Sequence, residues 1–190
     1  MEGEKYLFVV SGPSGVGKDT VMQRLRADHP EIEKTVSATT RAPRAGEAEG
    51  VNYYYRTEEE FFRMVECGDI LEHNYFNGAY YGTLRAEVER RMAAGKVMLL
   101  NIDIHGAANI KRLYPGSTII FLLPPSFEVL EQRLRGRGTD SEEAIQGRLA
   151  IAREELSHAD EFDLQIVNDT VERAAGALYG VVAEKLGLAR

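Results

Sequence analysis

Ser11-Gly12-Pro13-Ser14-Gly15-Val16-Gly17-Lys18-Asp19-Thr20 decides the reading of this chain. The stretch follows a short apolar run, Tyr6-Leu7-Phe8-Val9-Val10, which reads as a buried strand. It opens a segment from Lys18 to Ala27 in which Val21, Met22 and Leu25 recur at helical spacing. Glycines let the backbone curl so that successive N–H groups point inward at phosphate oxygens. The helix start adds the positive end of its dipole, and Lys18 places a charge at the β- and γ-phosphates. Gly12, Gly17 and Lys18 have the spacing of a nucleotide phosphate loop, and the strand–loop–helix context argues against a merely structural Gly-rich turn. One position departs from the pattern. The residue after the lysine is ordinarily Ser or Thr, whose hydroxyl faces Mg²⁺; here it is Asp19. A carboxylate could bind the metal directly or through water, and Thr20 could reach another phosphate oxygen.

Working outward, apolar runs alternate with amphipathic ones. Val97-Met98-Leu99-Leu100-Asn101-Ile102, Ser117 to Leu123 and Leu164 to Val167 read as further buried strands. Pro124-Pro125 stops the third strand, helical spacing resumes from Ser126 to Arg135, and Val171 to Leu186 reads as a closing helix. Continuous apolar strands alternating with helices predict an α/β fold: a parallel sheet covered by helices on both faces. The 190 residues suit one domain, residues 1–190, with small insertions. Two regions break the rhythm. Ser37 to Gly82 is polar and rich in Tyr, Thr, Arg and Gly, and reads as short half-exposed strands around one helix. That helix is expected to start at Thr57, with Glu60 completing a capping box. Gly136 to Asp140, in which Gly136 and Gly138 permit wide backbone motion and are flanked by Arg133, Arg135 and Arg137, reads as a mobile flap between two helices. The first region is expected to be an inserted ligand lobe and the second a lid.

Composition narrows the chemistry. The formal net charge of -7 argues against coating nucleic acid by bulk charge, but not against a local basic pocket. Of the 23 basic residues 17 are Arg, whose guanidinium forks suit bidentate phosphate binding, so a small phosphorylated ligand is indicated. The single cysteine, Cys67, cannot form an internal disulfide; it reads as a small packing residue inside the lobe helix, and a reducing, cytoplasmic setting is the default. The start, Met-Glu-Gly-Glu-Lys, lacks the character of a signal peptide, and no apolar run approaches membrane-spanning length. His29, His73, His105 and His158 are scattered and read as structural or surface residues.

Beyond the phosphate loop, Ser37-Ala38-Thr39-Thr40-Arg41-Ala42-Pro43-Arg44-Ala45-Gly46-Glu47 resembles the signature of guanylate kinases. The resemblance continues through Tyr53, Glu72, Gly78-Ala79-Tyr80-Tyr81-Gly82-Thr83 and Asp103-Ile104-His105-Gly106. It extends to Arg133-Leu134-Arg135-Gly136-Arg137-Gly138-Thr139 and Ile166-Val167-Asn168-Asp169, so it covers nearly the whole chain in order. It implies a core (residues 1–36 and 91–190), a GMP-binding lobe near 37–90 and a lid near 136–148. It implies transfer of the γ-phosphoryl of ATP to GMP, or dGMP, with Mg²⁺. On this resemblance Gly12 to Thr20 and Asn168 meet ATP. Ser37, Glu72, Thr83 and Asp103 surround guanine, and Arg41, Arg44, Tyr53 and Tyr81 hold the GMP phosphate. Lys18, Arg41, Arg133, Arg137 and Arg148 serve the transferred group, while Asp19 and, through water, Asp103 are the metal candidates. Asn101 stands where many relatives have Asp.

The residue types suit that chemistry. Guanine presents N1–H and N2–H₂ as adjacent donors, which one carboxylate such as Glu72 can accept together; adenine lacks both. The attacking oxygen belongs to an already ionised phosphate, so no general base is needed and no catalytic triad is expected. Arg148 lies four residues from Ala144 and from Ala152, on one defined helix face. Two alternatives stay open: a related kinase acting on a phosphorylated sugar, and a non-catalytic guanylate-kinase-like interaction module. The partners expected are small nucleotides, with neither nucleic acid nor membrane, and the sequence leaves monomer against homo-oligomer undecided.

Overall fold

The computed structural model describes residues 2–33, 35–76, 78–136 and 141–188. Its core is a parallel sheet of β1 (Leu7–Ser11), β6 (Met98–Asn101), β7 (Thr118–Leu123) and β8 (Leu164–Val167) in the order β6-β1-β7-β8. Every residue of β1 is buried, and alternation sends its side chains into two cores. Phe8 and Val10 join Leu99, Ile120 and Leu122 against α1 (Lys18–Asp28), α5 (Phe127–Arg135), α6 (Glu142–Ser157) and α7 (Val171–Leu186). Leu7 and Val9 join Met98, Leu100 and Ile119 against α3 (Arg85–Ala93) and α4 (Ile104–Leu113). The continuous apolar strands are thus buried on both faces, as the sequence predicts.

A second, mixed sheet, in the order β3-β2-β5-β4, stands beside the first. It consists of β2 (Ala38–Thr39), β3 (Tyr54–Tyr55), β4 (Ile70–Phe76) and β5 (Ala79–Leu84), with its own small core of Ala38, Phe61, Ile70 and Leu84. Phe61 comes from α2 (Glu58–Glu66), whose N-cap is Thr57 in a full capping box with Glu60. Cys67 corrects the sequence reading: it is the C-cap of α2 and exposed, because the helix ends there rather than carrying it on a buried face. Tyr6 also falls outside its expected strand, in a 3₁₀ turn over Glu2–Tyr6 that leads into β1. No helix among the described residues is long and apolar enough to cross a membrane.

Where β1 ends, the chain passes directly over β7. Gly12 has φ 139, and a Cβ there would lie 2.5 Å from the carbonyl oxygen of Leu122 and 3.2 Å from its nitrogen. Neither the conformation nor the space admits a side chain. Gly12→Ala is expected to cost about 2–4 kcal/mol through strain and backbone displacement. In a chain this size that is a fall in melting temperature of roughly 5–12 °C, readable by calorimetry; an unchanged Tm would contradict the crossing.

Candidate active site

The phosphate loop is held from behind. Gly17 ends it at φ 99 as the N-cap of α1, so the first turn of the helix presents its free N–H groups to the loop. The carbonyl of Val16 accepts from Nδ2 of the buried Asn168 at 2.7 Å and from the Arg133 guanidinium at 3.2 Å. Arg133 also donates to the carbonyl of Asn168 at 2.9 Å. Lys18 turns its ammonium onto the carbonyls of Gly12 and, at 3.3 Å, Pro13.

The loop opens onto a cleft of about 650 Å³ between the two sheets. Of the residues expected from sequence, Gly12, Ser14, Lys18, Asp19, Ser37, Arg41, Arg44, Tyr53, Glu72, Tyr81, Thr83 and Asp103 all line it. Arg133, Arg148 and Asn168 do not: the sequence places the two arginines over the transferred group and Asn168 near a base, whereas here Arg133 and Asn168 brace Val16 and Arg148 is half-buried on α6. Pro13, Gly15, Val16, Gly17 and Thr20 complete the loop without facing this cavity. Arg137, and with it most of the expected flap, lies outside the described residues.

On the lobe side the decisive feature is a β-bulge. Ile70 pairs with Leu84, but Glu72 pairs with Thr83, so two residues of β4 oppose one of β5. Strict alternation would put Glu72 on the face of Ile70, inside the lobe core. The bulge drives Leu71 into the main core instead and re-aims Glu72 to the cleft face beside Thr83. Thr83 Oγ1 donates to Glu72. Packing around Glu72 raises its carboxyl to about 7; the Asp103 charge adds to the rise, and the Thr83 bond opposes it. Asp103 caps α4, accepting from the Gly106 N–H at 2.8 Å, and takes a second bond from Asn74 Nδ2 at 2.9 Å. Gly106 leaves room for this approach, since a Cβ there would lie 3.1 Å from Glu72 Oε2.

The opposite wall carries the arginines. Arg41 pairs with Glu47 at 2.8 Å and lies 5.4 Å from the Tyr53 ring centroid. The ring of Tyr53 meets that of Tyr81 edge-on at 5.7 Å. Glu47 also accepts from the Arg44 backbone N–H at 2.7 Å and from the Tyr55 hydroxyl at 2.9 Å. The Arg41 ion pair, with those two bonds, holds the Glu47 carboxyl down at about 2.

Two carboxylates escaped the sequence reading. Glu47 was legible only as the end of a motif, although its place three residues after Arg44 puts it within reach of the loop's own cations. Glu155 lines the cleft from α6 and accepts, weakly at 3.4 Å, from the Ser14 N–H. It lies seven residues after Arg148 on the same helix face, the one signal that could have found it. Burial pushes its carboxyl up, against the pull of Lys18.

For a divalent cation the cleft offers the hard oxygens of Asp19 and Asp103, and among the described residues no group of three His, Cys, Asp or Glu side chains gathers. That donor set fits Mg²⁺, which is ordinarily held by one or two carboxylates together with substrate phosphates.

Comparison with known proteins agrees with this geometry. The family model "Guanylate kinase" matches residues 4–185. The guanylate kinase of Parasynechococcus marenigrum (strain WH8102) is 52% identical over 176 residues, covering 93% of this chain and 97% of that protein. That of Synechocystis sp. (strain ATCC 27184 / PCC 6803 / Kazusa) is 50% identical over 179 residues, covering 94% of each. Among solved structures, guanylate kinase from Anaplasma phagocytophilum superimposes with a TM-score of 0.70 at 35% identity, covering 95% of this chain and 86% of that one. A phosphate loop facing a tyrosine- and arginine-lined lobe, matched along almost its full length by these relatives, places the chain in the guanylate kinase family.

Proposed function

We propose that this protein transfers the γ-phosphoryl group of ATP to GMP. The observation that carries the reading is the single cleft in which the phosphate loop and the bulge-directed Glu72 face one another. Glu72, as a carboxylate, accepts the two adjacent guanine donors, with Thr83, Ser37 and Asp103 completing the polar frame. Adenine would leave that buried carboxylate with the Thr83 bond but without the two guanine donors, which is the source of discrimination. Arg41, Arg44, Tyr53 and Tyr81 receive the GMP phosphate, in a mixed-sheet lobe we place near residues 37–90.

ATP lies with its phosphates in the loop Gly12 to Thr20. The family resemblance is what puts Asn168 near the ATP base; its amide also braces the loop through the Val16 carbonyl. Lys18 exchanges its two loop carbonyls for phosphate oxygens. Arg148, with Arg137 and Arg133 on the preceding segment, brings positive charge toward the transferred group; Arg133 also fixes the loop through Val16. Asp19 and Asp103 would help to hold Mg²⁺, which when bound would supply charge neutralisation at the phosphates. Catalysis is then positioning and neutralisation, the attacking phosphate oxygen being ionised already.

A coupled ADP-release assay with ATP and Mg²⁺ across GMP, dGMP, AMP, CMP, UMP and a sugar phosphate tests the reading. Turnover should be strongest with GMP or dGMP, and absence of turnover with both would overturn it. Lys18→Ala should lower kcat by about 10²–10³-fold with an unchanged circular dichroism spectrum; parental kcat would remove the loop from the chemistry.

Glu72 also makes a stability prediction. Its folded-state pKa, about 7, is above the ordinary 4.5, so the folded protein binds the extra proton between those values. Stability therefore falls as pH rises through that window and stays lower above it, on the order of 2–3 kcal/mol. Glu72→Gln should raise Tm by about 5–10 °C at pH 8, leave it nearly unchanged at pH 4.5, and raise KM for GMP by about 10–100-fold. An equal Tm shift at both pH values would show that the carboxyl is not strained.

A further inference from the structure

In phosphate loops generally, a hydroxyl follows the lysine and an acidic residue near a strand end helps to hold the nucleotide's metal. Here the acid stands in the first position, as Asp19, and the strand end carries an amide. β6 pairs with β1 up to the register Val10↔Asn101, which brings the last residue of β6 beside the start of the loop. Across 82 positions of sequence, Asn101 Nδ2 donates to Asp19 Oδ1 at 2.6 Å. An ionised carboxylate only accepts, so the amide must present its nitrogen there. Asp19 and Asn101 line both the main cleft and a smaller adjoining cavity of about 240 Å³. Arg26, seven residues along α1, lines the smaller cavity and feels the Asp19 charge.

We infer that Asn101 is a positioning residue for Asp19: the negative charge has moved from the strand end onto the first turn of α1, and the amide that replaced it holds the carboxylate in one orientation beside Lys18. The pairing explains both departures together. A carboxylate at 101 would put two anionic oxygens in contact; without a cation between them one would have to take up a proton, and the remaining single charge would be shared between the two positions rather than fixed on Asp19. A hydroxyl at 19 would leave the amide without its anionic acceptor. A carboxylate has two accepting oxygens, so engagement of one by Asn101 leaves the group competent toward a cation or its water shell. The inference rests on the proposed use of a Mg²⁺–nucleotide complex at the loop.

The test uses the full chain with ADP and Mn²⁺ as probe, free Mn²⁺ being read by electron paramagnetic resonance. Asp19→Ala, Asn101→Ala and the double variant are compared with the parent, together with Tm and KM for GMP. Each single change should weaken Mn²⁺ retention in the ADP complex by about tenfold, and the double variant should be no weaker than Asp19→Ala. Tm should move by less than about 3 °C, both residues being exposed surface positions, and KM for GMP should stay at the parental value. Parental retention in Asn101→Ala, or an equal loss when Asp19 is already absent, overturns the positioning role. If Asp19→Ala itself retains Mn²⁺ normally, Asp19 does not serve the metal and the underlying reading of the site fails with it.

Discussion

The backbone of Gly12 crosses that of Leu122 at a distance that excludes any side chain, and the rest of the site depends on that crossing. The sheet fixes where β1 ends, because Leu7 to Val10 are committed to the two cores alternately. The crossing fixes the direction in which the chain leaves the sheet. Val16 is then tied to Asn168, the residue after β8, and to Arg133 in the last turn of α5, so both the entry and the exit of the loop are referred to the same rigid layer. A loop that must present several N–H groups to one anion loses much of its value if it fluctuates, and this bracing removes the fluctuation before ligand arrives.

The lobe is referred to the same layer by a different device. Leu71, the extra residue of the bulge, is buried in the main core, and Asn109 of α4 donates to its carbonyl. One residue of local irregularity therefore does two things: it anchors β4 to the core domain and it turns Glu72 toward the cleft. Burial makes the turned carboxylate costly as an ion and raises its pKa. Burial, which disfavours the charge, is also what makes the loss of guanine's paired donors costly, so the strain and the selectivity proposed for Glu72 share one cause.

How much of this was legible in sequence follows from range. The parallel sheet, the loop, the capping box at Thr57 and the closing helix are local patterns of apolar period, glycine spacing and cap chemistry, and they appear within a residue or two of where the pattern puts them. The gathering of Arg41, Arg44, Tyr53, Tyr81 and Glu72 in one cleft came from resemblance, since nothing in their spacing brings residues 41 and 72 together. What escaped both were relations between segments. The bulge at Leu71 breaks the alternation on which strand faces are read. Glu155 reaches the loop through the packing of α6 on the core, and Arg133 faces Val16 because Leu130 and Leu134 seat α5 against the loop at Gly15. Cys67 was misplaced for a smaller reason: a helix end, not a helix face, determines its exposure.

The cleft also resolves an apparent conflict in charge. A chain with a net charge of -7 is proposed to bring two polyanions together, and carboxylates stand beside several of the cations that would receive them. Glu47 holds Arg41 and the Arg44 backbone, and Glu155 meets the loop at Ser14. A free arginine in an exposed loop samples many rotamers, and ordering it on binding costs roughly 0.5–1.5 kcal/mol per side chain. An arginine already held by a carboxylate has lost much of that freedom beforehand. The acids thus set direction while the arginines keep donors for a phosphate: of the five on the Arg41 guanidinium, one goes to Glu47 and one to the Ala42 carbonyl. On this view the local acidity does not oppose the basic site; it orients that site, and the surplus negative charge elsewhere disfavours unspecific polyanions that do not fit the cleft.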